Sequence, residues 1–178
     1  DWDCDIKTLF GEKNLGTKYA IAKAINWFFN CEEMGIVLED DCLPNIDFFY
    51  FCQELLIKYK DDTRIGMISG FNRFDNYPCA ASYHFSTGGP IWGYASWARV
   101  GKNFDVDSPL LKSPKLKNYL LDSTSDKRES DHLYFSILNV LKGKSKSWDY
   151  SWSVLQKINS QIAIVSAKNL VQNIGLGK

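Results

Sequence analysis

A short apolar run at residues 35–38 (Gly-Ile-Val-Leu) ends directly at three adjacent acidic residues, Glu39, Asp40 and Asp41. The run is too short for a helix, and its lack of polar alternation is typical of a strand buried on both faces of a parallel sheet. In open α/β sheets, ligands bind beyond the carboxyl ends of the strands. The pattern therefore predicts a layered α/β fold with a carboxylate-rich site at the end of this strand.

The segments around this strand alternate between helix and strand patterns. Apolar residues recur at helical spacing over residues 16–30, and a turn at 42–45 leads into a second helix that Asn45 can cap. Residues 65–69 form another short apolar run. This order favours an α/β domain with a mixed, mostly parallel sheet flanked by helices. Further expected elements are an edge strand at 83–86, helices at 93–102, 116–121, 129–142 and 150–158, and a strand at 161–165, with Phe135 facing inward.

Composition excludes several classes of function. The 178 residues suffice for one domain with a sizeable core. Because 21 basic residues balance 21 acidic ones and no long basic run occurs, we expect no nucleic-acid partner. The five cysteines are odd in number and no two of them are two residues apart, which argues against a zinc site and favours reduced thiols in a cytoplasmic protein. No apolar run approaches the ~20 residues of a transmembrane segment.

Three neighbouring carboxylates at a strand end repel one another, and a hard divalent cation would compensate for this repulsion. Mn²⁺ and Mg²⁺ prefer oxygen ligands, and such an ion can bridge a carboxylate and a diphosphate. The alternative is a solvated acidic loop at the positive N-terminal end of the next helix. The triplet alone does not separate these interpretations, since phosphatases and nucleotidyltransferases also carry acidic pairs after strands.

The strand, the acidic triplet and the phenylalanine-rich helix that follows resemble the GT-A-fold nucleotide-sugar glycosyltransferases. The pattern is similar to the N-acetylglucosaminyltransferase I group and to bacterial hemolytic-protein-like sugar transferases. Other segments agree in order, and the resemblance covers roughly residues 11–177. These segments are 14–16 (Asn-Leu-Gly), 68–72 (Ile-Ser-Gly-Phe-Asn), 92–97 (Trp-Gly-Tyr-Ala-Ser-Trp), 148–152 (Trp-Asp-Tyr-Ser-Trp) and 169–175 (Asn-Leu-Val-Gln-Asn-Ile-Gly).

The resemblance implies transfer of a sugar from a nucleoside-diphosphate sugar to a hydroxyl of a saccharide or other acceptor. Mn²⁺ or Mg²⁺ would be the cofactor and Asp41 its direct ligand. Asp149 would be the catalytic base that takes the acceptor proton. One base without a covalent partner implies inversion at the anomeric carbon. The bacterial relatives suggest polysaccharide biosynthesis, in the cytoplasm or peripherally at the inner membrane face.

The resemblance also implies contacts for other residues. Nucleotide-sugar contacts are expected for Asn14, Gly16, Lys18, Glu39, Asp40 and Asn173, and acceptor-side positions for Asn72, Trp92, Gly93 and Trp148. Simpler interpretations remain open, since an aspartate such as Asp149 can cap a helix, tryptophans can pack in the core, and Asn173 can form a strand-end turn.

Two other functions remain open. One is a non-catalytic relative that binds a sugar or nucleotide, and the other is a sugar nucleotidyltransferase, for which the usual glycine-rich loop is not visible. We expect a single glycosyltransferase-like domain over residues 1–178. Because GT-A domains open with a strand–helix–strand unit, the resemblance further predicts that this domain lacks the first strand–helix unit and the C-terminal tail.

Overall fold

The computed structural model describes residues 3–74, 78, 80–102, 104–124 and 126–175. The chain begins with α1 (Gly16–Cys31), β1 (Met34–Val37), β2 (Cys42–Pro44), α2 (Ile46–Lys58), β3 (Ile65–Ser69) and β4 (Tyr83–Ser86). It continues with β5 (Tyr94–Trp97), α3 (Ala98–Gly101), a 3₁₀ helix (Pro109–Lys112), α4 (Leu116–Ser123), α5 (Lys127–Leu141), α6 (Asp149–Ile158), β6 (Ile162–Ser166) and β7 (Val171–Asn173). Among the sequence-based predictions, only segments 42–45 and 93–97 differ in type from these elements. Cys79 lies outside the described residues.

The main sheet is mixed, with the strand order β1-β5-β3-β6-β4. The predicted α/β class with helices around a mixed sheet is confirmed, but the prediction of a mostly parallel sheet is wrong. Among the described strands, only β3 and β6 pair in parallel, while β5 runs antiparallel to both β1 and β3, and β4 runs antiparallel to β6. Strand β5 lies between β1 and β3 and begins at the end of the sheet where those two strands finish. A smaller antiparallel sheet joins β2 to β7.

The predicted helix at 93–102 is instead strand β5 followed by the single turn α3. All four residues of β5 are buried, and the strand pairs on both sides. The Ser96 hydroxyl donates to the carbonyl of Gly66 at 2.7 Å, and the Trp97 indole N–H donates to the carbonyl of Leu56 at 3.1 Å. These long-range contacts decide the conformation, because strand propensity depends strongly on context.

Strand β1 also differs from its prediction. It is an edge strand of the main sheet and is half-buried, so the expectation of burial on both faces is wrong. The predicted turn at 42–45 contains strand β2, which exists because β7 returns to pair with it. The cap of α2 is confirmed, since Asn45 Oδ1 accepts from the Phe48 amide at 3.0 Å.

Two apolar layers cover opposite faces of the main sheet. Successive residues of a strand point to opposite faces. Accordingly, Met67 packs with Tyr94 and Trp152 below α1 and α6, whereas Ile68 packs with Phe48 under α2. A third cluster joins α4, α5 and α6. Phe135 on α5 is 58% exposed, so its predicted inward orientation is wrong, and Leu133, Ile137 and Val140 fill that face instead.

No helix in the described part of the chain combines the length and apolar character that crossing a membrane requires.

Candidate functional site

The carboxyl ends of β1, β3 and β6 lie at one end of the main sheet, because these three strands share a direction. The acidic triplet follows β1, Asn72 lies shortly after β3, and Tyr94 begins β5 at the same end. Asn169 follows β6, and its side chain accepts from the Asn72 amide at 3.1 Å. The sequence placed the candidate site at this sheet end, and the strand directions agree with it.

The small β2–β7 sheet brings the C-terminal segment beside the acidic triplet. Cys42 pairs with Asn173, and the Ile174 amide donates to the carbonyl of Asp41 at 2.9 Å. The Asn173 side chain accepts from the amide of Gly175 at 2.9 Å. A Cβ on Gly175 would lie 2.6 Å from Asp41 Oδ2, so this glycine leaves the space that the Asp41 carboxylate occupies. Asp41 and Asn173, predicted from separate motifs, therefore share one site.

Glu39 is half-buried in this site, and burial is the main reason why its pKa is raised. The negative charges of Asp41, Asp149 and Asp40 raise the pKa of Glu39 further. Since the charge of Asp149 acts on Glu39, the first residue of α6 lies near the triplet. Glu39 therefore lies in a region of negative charge to which both the triplet and α6 contribute.

Asp149 does not occupy the N-cap of α6, which is Trp148, but is the first residue of the helix. Its carboxylate accepts a hydrogen bond from the hydroxyl of Ser147. This bond orients the carboxylate without engaging a backbone amide of the helix. Asp149 therefore does not act as the side-chain cap of α6. Its role as the catalytic base stays a prediction.

Among the described residues, no lysine, arginine or histidine forms an ion pair with any of these four acids. No three His, Cys, Asp or Glu side chains in the same residues are grouped so that they could hold a metal ion by themselves. Mg²⁺-type sites often use one or two carboxylates together with substrate phosphates and water. The crowded acids near Asp41 fit that kind of site, in which Asp41 would be the direct ligand.

A cleft of about 820 Å³ opens beside the triplet, between β1, α1 and the segment before α1. Its walls are largely apolar and include Leu9, Ile21, Phe28, Ile36 and Val37. Asn14, Glu39 and Asp40 line the same cleft. The volume is within the range of small-molecule and cofactor sites. The structure therefore brings three of the predicted nucleotide residues to one hollow.

The other predicted nucleotide residues at the start of α1 lie in an adjoining hollow. Gly16 and Lys18 line it together with Asn14, whose side chain accepts from the Gly16 amide at 2.8 Å. Lys18 is 8% exposed, and its ammonium lies 2.9 Å from Asp107 Oδ1. The hydrogen bond from Lys18 lowers the pKa of Asp107. Lys18 thus anchors the start of α1 to Asp107, and its charge is already paired.

Two of the predicted acceptor-side residues, Trp148 and Asn72, are buried in the structure. Trp148 is 3% exposed and packs against Tyr94 and Phe104, so its ring belongs to the core. Asn72 is also buried, and its side chain bonds the carbonyl of Ser166 at 2.8 Å. Asn72 therefore ties the end of β3 to the end of β6.

Trp92 remains half-buried, with its ring edge-on to Phe71 at 4.7 Å between centroids. Gly93 adopts a left-handed conformation with φ of 72°, and a Cβ there would lie 2.7 Å from Val171. Glycine is required at such a position because other residues rarely adopt a positive φ. The turn at Gly93 thus sets Trp92 at the same sheet end as the acids.

Ser147 and Gly175 contact the predicted site residues Asp149 and Asp41, respectively, although sequence reasoning did not single them out. Tyr94 was assigned to a helix, whereas identification of β5 would have placed it opposite Val37 at the site. Gly175 ends the resembling segment 169–175, but its proximity to Asp41 depends on the β2–β7 pairing and could not be predicted from that segment.

The chain was compared with models of protein families and with curated proteins, and neither comparison found a match.

Proposed function

We propose that this chain is a metal-dependent, inverting glycosyltransferase of the GT-A kind, which moves a sugar from a nucleoside-diphosphate sugar to a hydroxyl acceptor. The observation that carries the proposal is the convergence of Glu39, Asp41, Asp149 and Asn173 at the carboxyl end of β1. These residues come from three distant parts of the sequence, namely the acidic triplet and the segments 148–152 and 169–175, and each part was expected at the site.

The cleft beside the triplet suits the nucleoside part of a donor. Its apolar walls offer a surface for a flat base, and the polar groups of Asn14, Glu39 and Asp40 can hold ribose hydroxyls. Gly16 and Lys18 support this cleft from the adjoining hollow, where Lys18 is held by Asp107.

The diphosphate would lie between Asp41 and Asn173, where the β2–β7 pairing brings the two residues together. A bound Mn²⁺ or Mg²⁺ supplies positive charge that neutralises the departing nucleoside diphosphate. Asp41 would hold the ion through its carboxylate. The Asn173 side chain is fixed by the Gly175 amide and can face the same phosphate oxygens.

Asp149 is the proposed base. A sugar hydroxyl is a weak nucleophile, so a carboxylate that accepts its proton during attack lowers the barrier. The hydrogen bond from Ser147 holds the Asp149 carboxylate in one orientation. Because no second carboxylate is needed as a covalent nucleophile, single displacement with inversion follows.

The acceptor would approach over Trp92 and Phe71. Their half-buried rings lie at the sheet end that carries the acids, where a flat apolar ring face and the indole N–H of Trp92 suit a saccharide. Asn72 and Gly93 hold the two loops that carry these rings. Polysaccharide biosynthesis in the cytoplasm, or at the inner membrane face, is part of the same proposal.

The proposal is tested first by binding. The thermal unfolding of the full chain is followed with UDP, GDP, CDP and dTDP, each with MnCl2, MgCl2 or EDTA. At least one diphosphate should raise Tm only when a divalent ion is present, and Asp41→Asn should remove that rise. Asp61→Asn is the matched control, because Asp61 lies in the turn between α2 and the start of β3, whereas the triplet lies at the end of the sheet where β3 finishes. If no diphosphate raises Tm with either metal, the proposal fails.

A binding protein without transferase activity is the second candidate. The acceptor side favours it, because Trp148 is buried in the core and the Asn72 side chain is already bonded to the backbone. Release of nucleoside diphosphate from nucleotide sugars, measured with and without saccharide acceptors, separates the two candidates. A binding protein would give no release, whereas release that Asp149→Asn abolishes would favour the transferase.

A further inference from the structure

A second cavity, of about 280 Å³, lies between α3, α6 and the segment 104–110. Its volume is close to the lower limit of about 300 Å³ for sites that bind small molecules. Strand β5 begins at the sheet end that carries the acids and finishes directly before α3, so this cavity lies toward the opposite end of the sheet. Of the described residues, none lines both this cavity and the cleft beside the triplet.

Two buried N–H donors on α6 line this cavity. Trp152 is 2% exposed and Gln156 is 6% exposed, and neither Trp152 Nε1 nor Gln156 Nε2 has a hydrogen-bond partner in the described part of the chain. The two residues are one helical turn apart and therefore share a face of α6. Buried polar groups almost always have partners, because desolvation without a hydrogen bond is costly. An indole N–H can only donate, so the pair indicates a hydrogen-bond acceptor that enters the cavity.

Packing places both side chains at the cavity wall. The Trp152 ring packs edge-on against Phe104, which lines the same cavity, with 5.1 Å between centroids. The Gln156 amide lies against the start of β3, since a Cβ on Gly66 would meet Gln156 Oε1 at 2.9 Å and the Cβ of Gln161 at 3.1 Å. Gln161 also lines the cavity. With its oxygen turned toward Gly66, the amide directs Nε2 away from β3.

Arg99 adds a fixed positive charge to the same place. Its guanidinium donates to the carbonyl of Ile65 at 2.7 Å, and Ile65 precedes the glycine against which the Gln156 amide lies. A second bond to the carbonyl of Asp62 at 3.0 Å holds the group, while Nη1 keeps a further N–H for a ligand. The start of β3 therefore brings Arg99 and Gln156 together at one wall of the cavity.

The charge of Arg99 is not balanced by an acidic side chain of the cavity. No aspartate or glutamate occurs among the described lining residues, and Arg99 forms no ion pair with any described carboxylate. The nearby Asp62 carboxylate is engaged by Arg64 at 2.7 Å. Partial burial lowers the pKa of Arg99, and the charges of Asp62 and Asp61 offset only part of this effect. The cavity thus favours an anion.

The remaining walls limit the kind of anion. Val100, Phe104, Leu110 and Leu155 offer apolar contacts, which suit a carbon skeleton. One cation and two neutral donors match a single negative charge, whereas a phosphate dianion would need further cations or donors. We propose that this cavity is a second ligand site, which binds a small organic carboxylate through Arg99, Trp152 and Gln156. The site goes beyond the proposed transferase function and requires neither its metal nor its nucleotide.

The indole N–H resonance of Trp152 reports directly on this binding. Nuclear magnetic resonance spectra of the full ¹⁵N-labelled chain are recorded with sodium benzoate or sodium hexanoate, against sodium chloride at equal ionic strength. At least one carboxylate should shift the assigned Trp152 signal to saturation, with a Kd of about 1 mM or below for a ligand of this size. The indole signal of Trp92, at the opposite sheet end, should stay in place.

Two variants test the donors. Arg99→Gln and Gln156→Met should each raise this Kd about tenfold or more, because each removes a hydrogen bond to a charged group. Gln156→Met should leave Tm of the free protein unchanged or higher, since it removes an unpartnered buried amide. Arg128→Gln is the matched control, because Arg128 is exposed and pairs with Asp126 at 3.0 Å outside the cavity. It should leave the Kd unchanged.

Three results would overturn the inference. The first is the absence of a saturable Trp152 shift with either carboxylate. The second is a Kd that stays constant in both Arg99→Gln and Gln156→Met, which would leave these residues a purely structural role. The third is tighter binding of sodium phosphate at the same signal, which would contradict the ligand class. Each result leaves the proposed transferase function standing, because the measurement contains no divalent ion and no nucleotide.

Discussion

Asp41 and Asn173 lie side by side, because the amide of Ile174 donates to the carbonyl of Asp41 at 2.9 Å and the strands β2 and β7 pair in register. Asp41 follows β1 of the main sheet, and Asn173 is the final residue of β7. The candidate metal–diphosphate site therefore depends on the C-terminal segment as much as on the acidic triplet.

Gly175→Ala should displace the Asp41 carboxylate and thereby weaken binding of the ligand. The new methyl group would lie 2.6 Å from Asp41 Oδ2 and 3.1 Å from Asp41 Cβ, so the carboxylate must move. We expect the Kd for a nucleoside diphosphate with Mn²⁺ to rise about tenfold, or about 1.4 kcal/mol, in calorimetry. Gly88→Ala is the control, because its methyl group would meet only Lys157 Nζ at 3.9 Å. Equal affinities for both variants would contradict this prediction.

Asp149→Asn should separate catalysis from binding. Loss of a general base typically lowers kcat by about 10²–10⁴. The amide keeps the size of the carboxylate and can still accept from Ser147, so the Kd for nucleoside diphosphate should stay within about twofold. Asp131→Asn provides the comparison, because Asp131 pairs with Lys117 at 3.4 Å outside the site and should keep its kcat. A kcat unchanged in Asp149→Asn would remove this residue from the mechanism.

The raised pKa of Glu39 predicts a pH dependence of stability. The folded protein holds this proton more tightly than the unfolded chain, so stability should fall as pH rises from about 4.3 through the raised pKa. Glu39→Gln removes the charge and should therefore have the higher Tm at pH 7, with the difference from wild type closing near pH 4. Thermal unfolding across this pH range checks the slope.

Asp107→Asn should show the opposite dependence. The hydrogen bond from Lys18 lowers the pKa of Asp107, so this carboxylate stabilises the fold at neutral pH and loses that effect as pH falls through its lowered pKa. Its Tm should be below that of wild type at pH 7, and the two should converge in acid. If both variants shift Tm in the same direction at pH 7, the assignment of the two pKa shifts is wrong.

Local rules predicted most of the helices and several strands, but not how the strands are ordered and directed in the sheet. The cap at Asn45 and the apolar face of α2 could be predicted, because capping and helical spacing involve residues only a few positions apart in the sequence. The direction of β5 could not be predicted, because Tyr94 to Trp97 become a strand only through pairing with β1 and β3. The same limit hid the proximity of Gly175 to Asp41, which depends on which strands lie side by side.

Trp92→Leu should weaken binding of the saccharide acceptor without changing binding of the nucleotide donor. The Trp92 ring packs edge-on against Phe71 at the sheet end that carries the acids, and leucine keeps the apolar contact while removing the flat surface. For a saccharide acceptor we expect KM to rise about tenfold while the Kd of the nucleoside diphosphate stays unchanged, since aromatic contacts contribute about 0.5–1.5 kcal/mol beyond their buried area. Tyr119→Leu, an exposed aromatic position on α4, should change neither quantity. A rise in donor Kd with constant acceptor KM would instead place Trp92 on the nucleotide side of the site.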